Sequence, residues 1–180
     1  MRLATKPPVR AFVGLGGNVG DRWNALRRAV RYLRSIPHTR LVGLSRVYET
    51  EPVGPRQRWF LNAVAEMRTT LGPRRFLRCL KDGERVLGRK KRFRWGPREI
   101  DMDLLFHGRH IVRSRTLEVP HPGIALRRFV LKPLCDLAPD LVHPVLRRRL
   151  SLIYRRLTPS SQKIRLYPKH LDLARGAERR

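Results

Sequence analysis

Glu99-Ile100-Asp101-Met102-Asp103-Leu104-Leu105-Phe106 is the stretch on which the fold turns. Side chains two apart on a strand share a face, so an extended reading sets Asp101 and Asp103 on one side and sends Ile100, Met102 and Leu104 into the core. Upstream, Gly72-Pro73 opens a helix carrying Phe76, Leu77, Leu80 and Val86-Leu87, weakened by Gly83 and closed by Gly88. Residues 60–67 read as a strand in which Leu61, Ala63, Ala65 and Met67 alternate with Asn62 and Glu66, and residues 41–48 as another. Asp21 is the expected cap of a helix with Trp23, Leu26, Val30 and Leu33 on one side, ended by Pro37. A first strand over residues 9–15 stops at the glycines of Gly14-Leu15-Gly16-Gly17-Asn18-Val19-Gly20. Strand, helix, strand, strand, helix, strand is the order of a ferredoxin-like α+β sandwich, a mainly antiparallel sheet with helices packed on one face.

Downstream, a turn at Gly108 leads to a shorter strand from Ile111 through Val119, then to Pro120-His121-Pro122. Two helical pieces follow, one burying Phe129, Val130 and Leu134, the other Leu150, Leu152, Ile153 and Leu157, separated by Pro139 and Pro144. Residues 1–157 are expected to form a single domain, and residues 158–180 a basic, poorly ordered tail.

Composition narrows the setting. A chain of 180 residues, 41% hydrophobic, has the size of one domain with its own core. No apolar run approaches the roughly 18 residues a membrane span needs, and no signal-like segment opens the chain, so a cytoplasmic protein is expected. Cys79 and Cys135 show no metal-ligand spacing and should be thiols. The charge is unusual: 41 basic against 14 acidic residues, net +27. Such a balance suits a nucleic-acid binder, and a basic RNA-binding α+β protein is the alternative reading of this chain. The excess is spread over every segment, however, which suits an anionic substrate or an arginine-rich genome equally well. Acidic residues on an RNA-binding face would also oppose the polyanion, and Asp101 beside Asp103 is such a pair.

The chemistry concentrates where arginine meets acid. Arg89, Arg92, Arg94 and Arg98 crowd the segment before Asp101 and Asp103. Two adjacent carboxylates repel unless cations intervene, and arginine presents a permanently charged fork to phosphate oxygens. Together they suit Mg²⁺ and a nucleoside triphosphate. Neither a Walker A motif nor G-x-G-x-x-G is present, since Val19 stands at the last required glycine. The glycine cluster therefore reads as a tight strand-to-helix turn, with Asn18 fixing it or touching a ligand.

In order along the chain stand Gly-Gly-Asn after the first strand, Y-E-T-E-P-V-G-P at 48–55, F-L-N-A-V at 60–64, Gly88-Arg89, R-W-G-P-R-x-I-D-x-D-L-L at 94–105, V-P-H-P at 119–122 and R-x-F-V-L-x-P-L from Arg127. On these motifs the chain resembles the 6-hydroxymethyl-7,8-dihydropterin pyrophosphokinases over residues 10–157. The resemblance implies diphosphate transfer from ATP to the hydroxymethyl group of the pterin, with release of AMP, in folate synthesis. It implies two Mg²⁺ ions held by Asp101 and Asp103, and catalytic loop arginines Arg89 and Arg98 on the phosphates. Glu84, His121 and Arg127 join Arg89 and Arg98 on the ATP side. For the pterin it implies Phe60 and Phe129 as an aromatic sandwich, Asn62 on the polar edge, and Thr50 and Val53 in the pocket wall, with Trp95 on a closing loop. Gly17 stands where the family often has serine, and Thr116 where it often has arginine, with Arg115 adjacent. Residues 49–58 and 89–95 lack alternating apolar residues and are expected to order only when nucleotide and pterin are bound. A monomer is expected, with no specific nucleic-acid partner, although non-specific RNA binding would follow from the charge.

Overall fold

The computed structural model describes residues 7–93, 95–157 and 162–173. Arg94, expected in the basic loop, and residues 158–161 and 174–180 of the expected tail lie outside the described residues.

The chain folds as an α+β protein around an antiparallel sheet. Strand β1 (Val9–Gly17) lies between β4 (Phe60–Thr69) and β5 (Asp101–His107). On the far side of β4 the expected 41–48 strand is two strands, β2 (Thr39–Leu44) and β3 (Tyr48–Thr50), both paired with β4. Ser45 explains the break. Its hydroxyl accepts the Val64 N–H at 2.8 Å, taking a ladder donor that a regular strand would have used. With β2 and β3 counted as one broken strand, the order β5-β1-β4-β3 is that of a ferredoxin-like sheet.

Helices α1 (Arg22–Ser35) and α2 (Pro73–Val86) cover one face. The Asp21 carboxylate accepts from Asn24 N at 3.0 Å, capping α1 as expected, and Leu26, Ala29, Val30 and Leu33 are buried. Leu61, Ala63, Ala65, Met67, Met102 and Leu104 meet these helices from the sheet. The expectation of helices on one face only is incomplete. Helices α3 (Arg128–Leu137) and α4 (Leu150–Arg156) pack on the opposite face against Phe12, Val64, Leu105 and Phe106. Toward the end where β1 starts, the second face carries the Arg10–Glu66 ion pair beside Phe12. At the other end, where Asp101 and Asp103 stand, this face opens into a cleft.

A hairpin of β6 (Val112–Ser114) and β7 (Leu117–Val119) replaces the single strand expected from Ile111. The expected disorder of the tail fails for residues 162–173. Strand β8 (Ile164–Leu166) pairs antiparallel with β3, extending the sheet by one strand. Tyr167 packs against Trp23 with ring centroids 5.8 Å apart. The polar composition of this segment misleads because β8 is an edge strand, anchored by backbone bonds and by the Arg165–Glu49 ion pair rather than by apolar burial.

Candidate active site

A cleft lies across the C-terminal half of β1 and the start of β5. Its floor is made by what β1 lacks: Gly14 pairs with Asp103 and Gly16 with Asp101, and neither glycine raises a side chain into the space. A Cβ on Gly16 would sit 2.6 Å from Asn62 Oδ1, so this position admits no side chain while Asn62 keeps its place. Gly17 is equally constrained, since a Cβ there would come within 2.4 Å of the Glu99 carbonyl oxygen. A serine in place of Gly17 would need a different path for the 98–99 backbone. The glycine cluster is thus a strand that leaves room for a ligand, with only Gly20 (φ 63°) belonging to the turn.

Asn18 is 2% exposed and is a knot rather than a ligand contact. Its amide donates to Gln57 Oε1 and Arg58 O, both at 2.9 Å, and its Oδ1 accepts from Arg98 N at 2.8 Å. One side chain therefore ties the end of β1 to both loops that border the cleft.

The acidic end gathers Glu84, Asp101 and Asp103, one oxygen of each lying within 4.8 Å of the others. Three cations answer them. Arg89 and Arg98 each donate to Asp101, and Arg89 also donates to Glu84. Lys81 Nζ lies 2.7 Å from Glu84 Oε1, 3.3 Å from Asp103 Oδ1 and 3.8 Å from Asp101 Oδ1. Burial pushes the Asp101 carboxyl up, but Lys81, Arg89 and Arg98 together outweigh it and hold it below the usual carboxylate range. Burial likewise lowers the Lys81 ammonium, and the three carboxylates reverse that to a net rise. The Glu84 carboxyl is raised, by burial first and by Asp101 second, against the pull of Lys81.

Glu84 and Lys81 also finish the edge of the sheet. Glu84 Oε1 accepts the Met102 N–H at 2.7 Å, and Lys81 donates to the Met102 carbonyl at 3.0 Å, satisfying groups of β5 that no further strand covers. Glu84, expected among the ATP contacts, is 4% exposed with both oxygens engaged. Its position suits organising Lys81 and Arg89 rather than meeting a nucleotide. Lys81 was missed in the sequence. Its signal was the Lys81-x-x-Glu84 spacing, which places both groups on one side of α2.

The other end of the cleft is aromatic. Phe60 and Phe129 line it with Thr50, Val53, Asn62 and Trp95. Asn62, 6% exposed, donates to the hydroxyl of Thr50 at 2.7 Å, fixing its amide across the β3–β4 pair. Arg127 lies between the two ends, its guanidinium 5.2 Å from the Trp95 ring centre and 5.8 Å from that of Phe129. Trp95 (φ 67°) also accepts, through its carbonyl, a hydrogen bond from Gln57 at 2.8 Å, so the two bordering loops touch. His121 lines a neighbouring hollow with Arg113, Glu118 and His143. Burial lowers its imidazole, Arg127 adds to that, and nearby Asp103 and Asp101 oppose it. Arg115 and Thr116 lie in the exposed turn between β6 and β7.

Residues 12–139 match the family described as 7,8-dihydro-6-hydroxymethylpterin-pyrophosphokinase (HPPK). This chain belongs to that family. The 2-amino-4-hydroxy-6-hydroxymethyldihydropteridine pyrophosphokinase of Aquifex aeolicus is 39% identical over 140 residues, 77% of this chain and 86% of that protein. Its counterpart in Methylorubrum extorquens is 43% identical over 134 residues, 74% and 85% of the two chains. The folic acid synthesis protein fol1 of Schizosaccharomyces pombe is 38% identical over 158 residues, 87% of this chain but 21% of that longer one. Among solved structures, wild-type Plasmodium falciparum HPPK-DHPS with pteroate superposes with a TM-score of 0.68 at 15% identity. That match covers 87% of this chain and 43% of the other, and shows a shared HPPK fold. No helix among the described residues is long and apolar enough to cross a membrane.

Proposed function

We propose that this HPPK-family chain moves the β,γ-diphosphate of ATP onto the hydroxymethyl oxygen of 6-hydroxymethyl-7,8-dihydropterin, releasing AMP, in folate synthesis. The observation that carries the reading is the continuity of one cleft from a carboxylate pair flanked by arginines to an aromatic box with a fixed amide. A triphosphate on the first and a bicyclic pterin in the second would bring the two reacting atoms together.

In this assignment the pterin stacks between Phe60 and Phe129, with Asn62 on its polar edge and Thr50 and Val53 beside it. The pterin oxygen forms a bond to the β-phosphorus as the bond from that phosphorus to the α,β-bridging oxygen breaks. AMP leaves with that oxygen, and the hydroxyl proton goes to solvent. Mg²⁺, which comes with ATP, supplies charge neutralisation at the phosphate oxygens. Asp101 and Asp103 would hold it as two ions, and the three carboxylates within 4.8 Å form a donor set of the hard oxygen type that Mg²⁺ takes. Arg89 and Arg98 would then exchange Asp101 for the phosphates, while Arg127 and His121 support the nucleotide. Trp95 and the two loops close the mouth, excluding water from the transfer. We assign no general base, because phosphoryl transfer depends mainly on alignment and charge stabilisation.

The deciding assay is AMP formation from MgATP that depends on added 6-hydroxymethyl-7,8-dihydropterin; ATP turnover indifferent to the pterin would defeat the proposal. We further propose a cytoplasmic monomer with no specific nucleic-acid partner. Arg27, Arg28, Arg31, Arg74, Arg75 and Arg78 are exposed on α1 and α2, away from the cleft, and have no acidic partner among the described residues. That face favours weak polyanion binding, which would disappear steeply with added salt.

A further inference from the structure

We infer that Gln162 is a positioning residue for the pterin half of the site, through which the C-terminal segment sets the geometry of the aromatic box. The inference rests on the pterin assignment above.

No side chain at the cap residue, Arg127, caps helix α3; the Arg127 carbonyl accepts from Val130 N and Leu131 N, and the Phe129 N–H looks elsewhere for its acceptor. Gln162 supplies one. Its Oε1 accepts from Phe129 N at 3.3 Å, across 33 residues of sequence. The other end of the same amide donates to the Glu51 carbonyl at 2.8 Å. Glu51 follows Thr50, the residue that receives the Asn62 amide. A single side chain, 6% exposed and lining the cleft, therefore joins the turn carrying Phe129 to the strand end carrying Thr50.

The segment behind Gln162 makes this a firm anchor. Glu51 N donates to the Lys163 carbonyl at 3.0 Å, and β8 runs in register with Thr50, Glu49 and Tyr48. Arg165 pairs with Glu49 through two hydrogen bonds at 2.8 and 2.6 Å and lies 5.0 Å from the Trp59 ring centre. Tyr167 N donates to the Val47 carbonyl at 2.9 Å. Among the described residues, these contacts of 162–167 go to β3 and its flanking residues, Trp23, Trp59 and the start of α3, and not to Glu84, Asp101 or Asp103. The segment's influence falls on the pterin walls and leaves the phosphate side alone.

The test uses Gln162→Met, which keeps length and removes both hydrogen-bonding ends, and Gln162→Glu, which keeps the acceptor for Phe129 N but loses the donor to Glu51. Pterin binding is measured by calorimetry with the unreactive α,β-methylene analogue of ATP and Mg²⁺ present. Nucleotide binding is measured separately. Gln162→Met should weaken pterin binding about tenfold, the size expected for two part-buried hydrogen bonds that hold a wall, while nucleotide affinity stays within twofold. Gln162→Glu should recover part of the loss. Equal weakening of both ligands, or a lower melting temperature with pterin affinity intact, would reduce Gln162 to a structural role and overturn the inference. Phe129→Ala is the control for the underlying assignment: if it leaves pterin affinity unchanged, the pterin site itself is misplaced, whatever Gln162 does.

Discussion

The two ends of the cleft are held together by different forces. At the acidic end, Asp101, Asp103 and Glu84 are kept adjacent by Lys81, Arg89 and Arg98, and almost every contact is an ion pair. At the aromatic end, Phe60 and Phe129 stand on β4 and α3, and the polar groups are amides and hydroxyls bonded to one another. Ion pairs can be exchanged for other ion pairs when a ligand brings charge, so the first end is built to rearrange around a polyanion and its metal. A neutral hydrogen-bonded box gains nothing by rearranging. Its fixed part, Phe60, Phe129, Thr50 and Asn62, should be ready before its ligand arrives, with Val53 and Trp95 closing on their loops afterwards.

Breaking the acidic end should have the largest effect. Asp101→Ala and Asp103→Ala are each expected to lower kcat/KM by on the order of 10³-fold, since the lost ligand removes several kcal/mol of charge stabilisation in the transition state. The melting temperature should change little in Asp103→Ala, whose side chain is 37% exposed, and fall further in Asp101→Ala, which leaves Arg89 and Arg98 without that partner. Near-normal AMP release by either variant in ordinary Mg²⁺ would remove these residues from the mechanism. The aromatic end should respond less and in a different parameter. Phe129→Ala is expected to raise the pterin KM by about 5- to 150-fold, the equivalent of roughly 1–3 kcal/mol of lost stacking, with the KM for ATP unaltered. A parallel loss in both KM values would mean that the two ends do not act as separate subsites.

Lys81 sharpens the comparison. Lys81→Met leaves three carboxylates with two cations, and should lower stability by about 1 kcal/mol in metal-free buffer, a modest figure because the lysine is partly solvated. Added Mg²⁺ should return most of that loss by binding the folded state. The melting temperature of Phe129→Ala should show no such metal dependence. If Mg²⁺ stabilises Lys81→Met no more than the parent, the carboxylates are not a metal site.

The smallest effect belongs to the basic loop. Glu99 accepts from Arg92 at 2.6 and 3.0 Å and from Lys90 N at 3.1 Å. The Arg92 hydrogen bonds, against a smaller opposing effect of burial, hold its carboxyl down at about 2. Because the folded value is depressed, the ionised pair supports the loop fully above the ordinary carboxylate range and loses that support as pH falls through about 2. The protection factor of the Lys90 amide should therefore be the same at pH 5 as at pH 7 and lower in Glu99→Gln at both. Identical protection in parent and variant would show that the loop is held by something else. Glu49 and Thr50, expected in the first mobile segment, belong to β3 instead; bound MgATP with the pterin should slow exchange throughout the rest of 49–58 and 89–95, and unchanged protection there would mean that no lid closes.

Much of this molecule was legible in its amino-acid order. The β1 to β5 sandwich, the Asp21 cap and the shared face of Asp101 and Asp103 follow from periodicities of 2 and 3.6 and from local capping chemistry, all set by neighbours in sequence. Arginine beside that acid pair was enough to indicate phosphate chemistry. Other features depended on residues far apart in the chain. The split of β2 from β3 comes from a serine hydroxyl meeting Val64, the role of the glycines from the proximity of Asn62 and the Glu99 carbonyl, and the place of Lys81 from the packing of α2 on the edge of β5. Gln162 is the extreme case, because a polar residue in a basic, proline-flanked segment carries no periodic signal of burial. Only pairing of β8 with β3 brings its amide between Glu51 and Phe129, since an edge strand is recruited by the free backbone groups of its neighbour and not by its own apolar pattern.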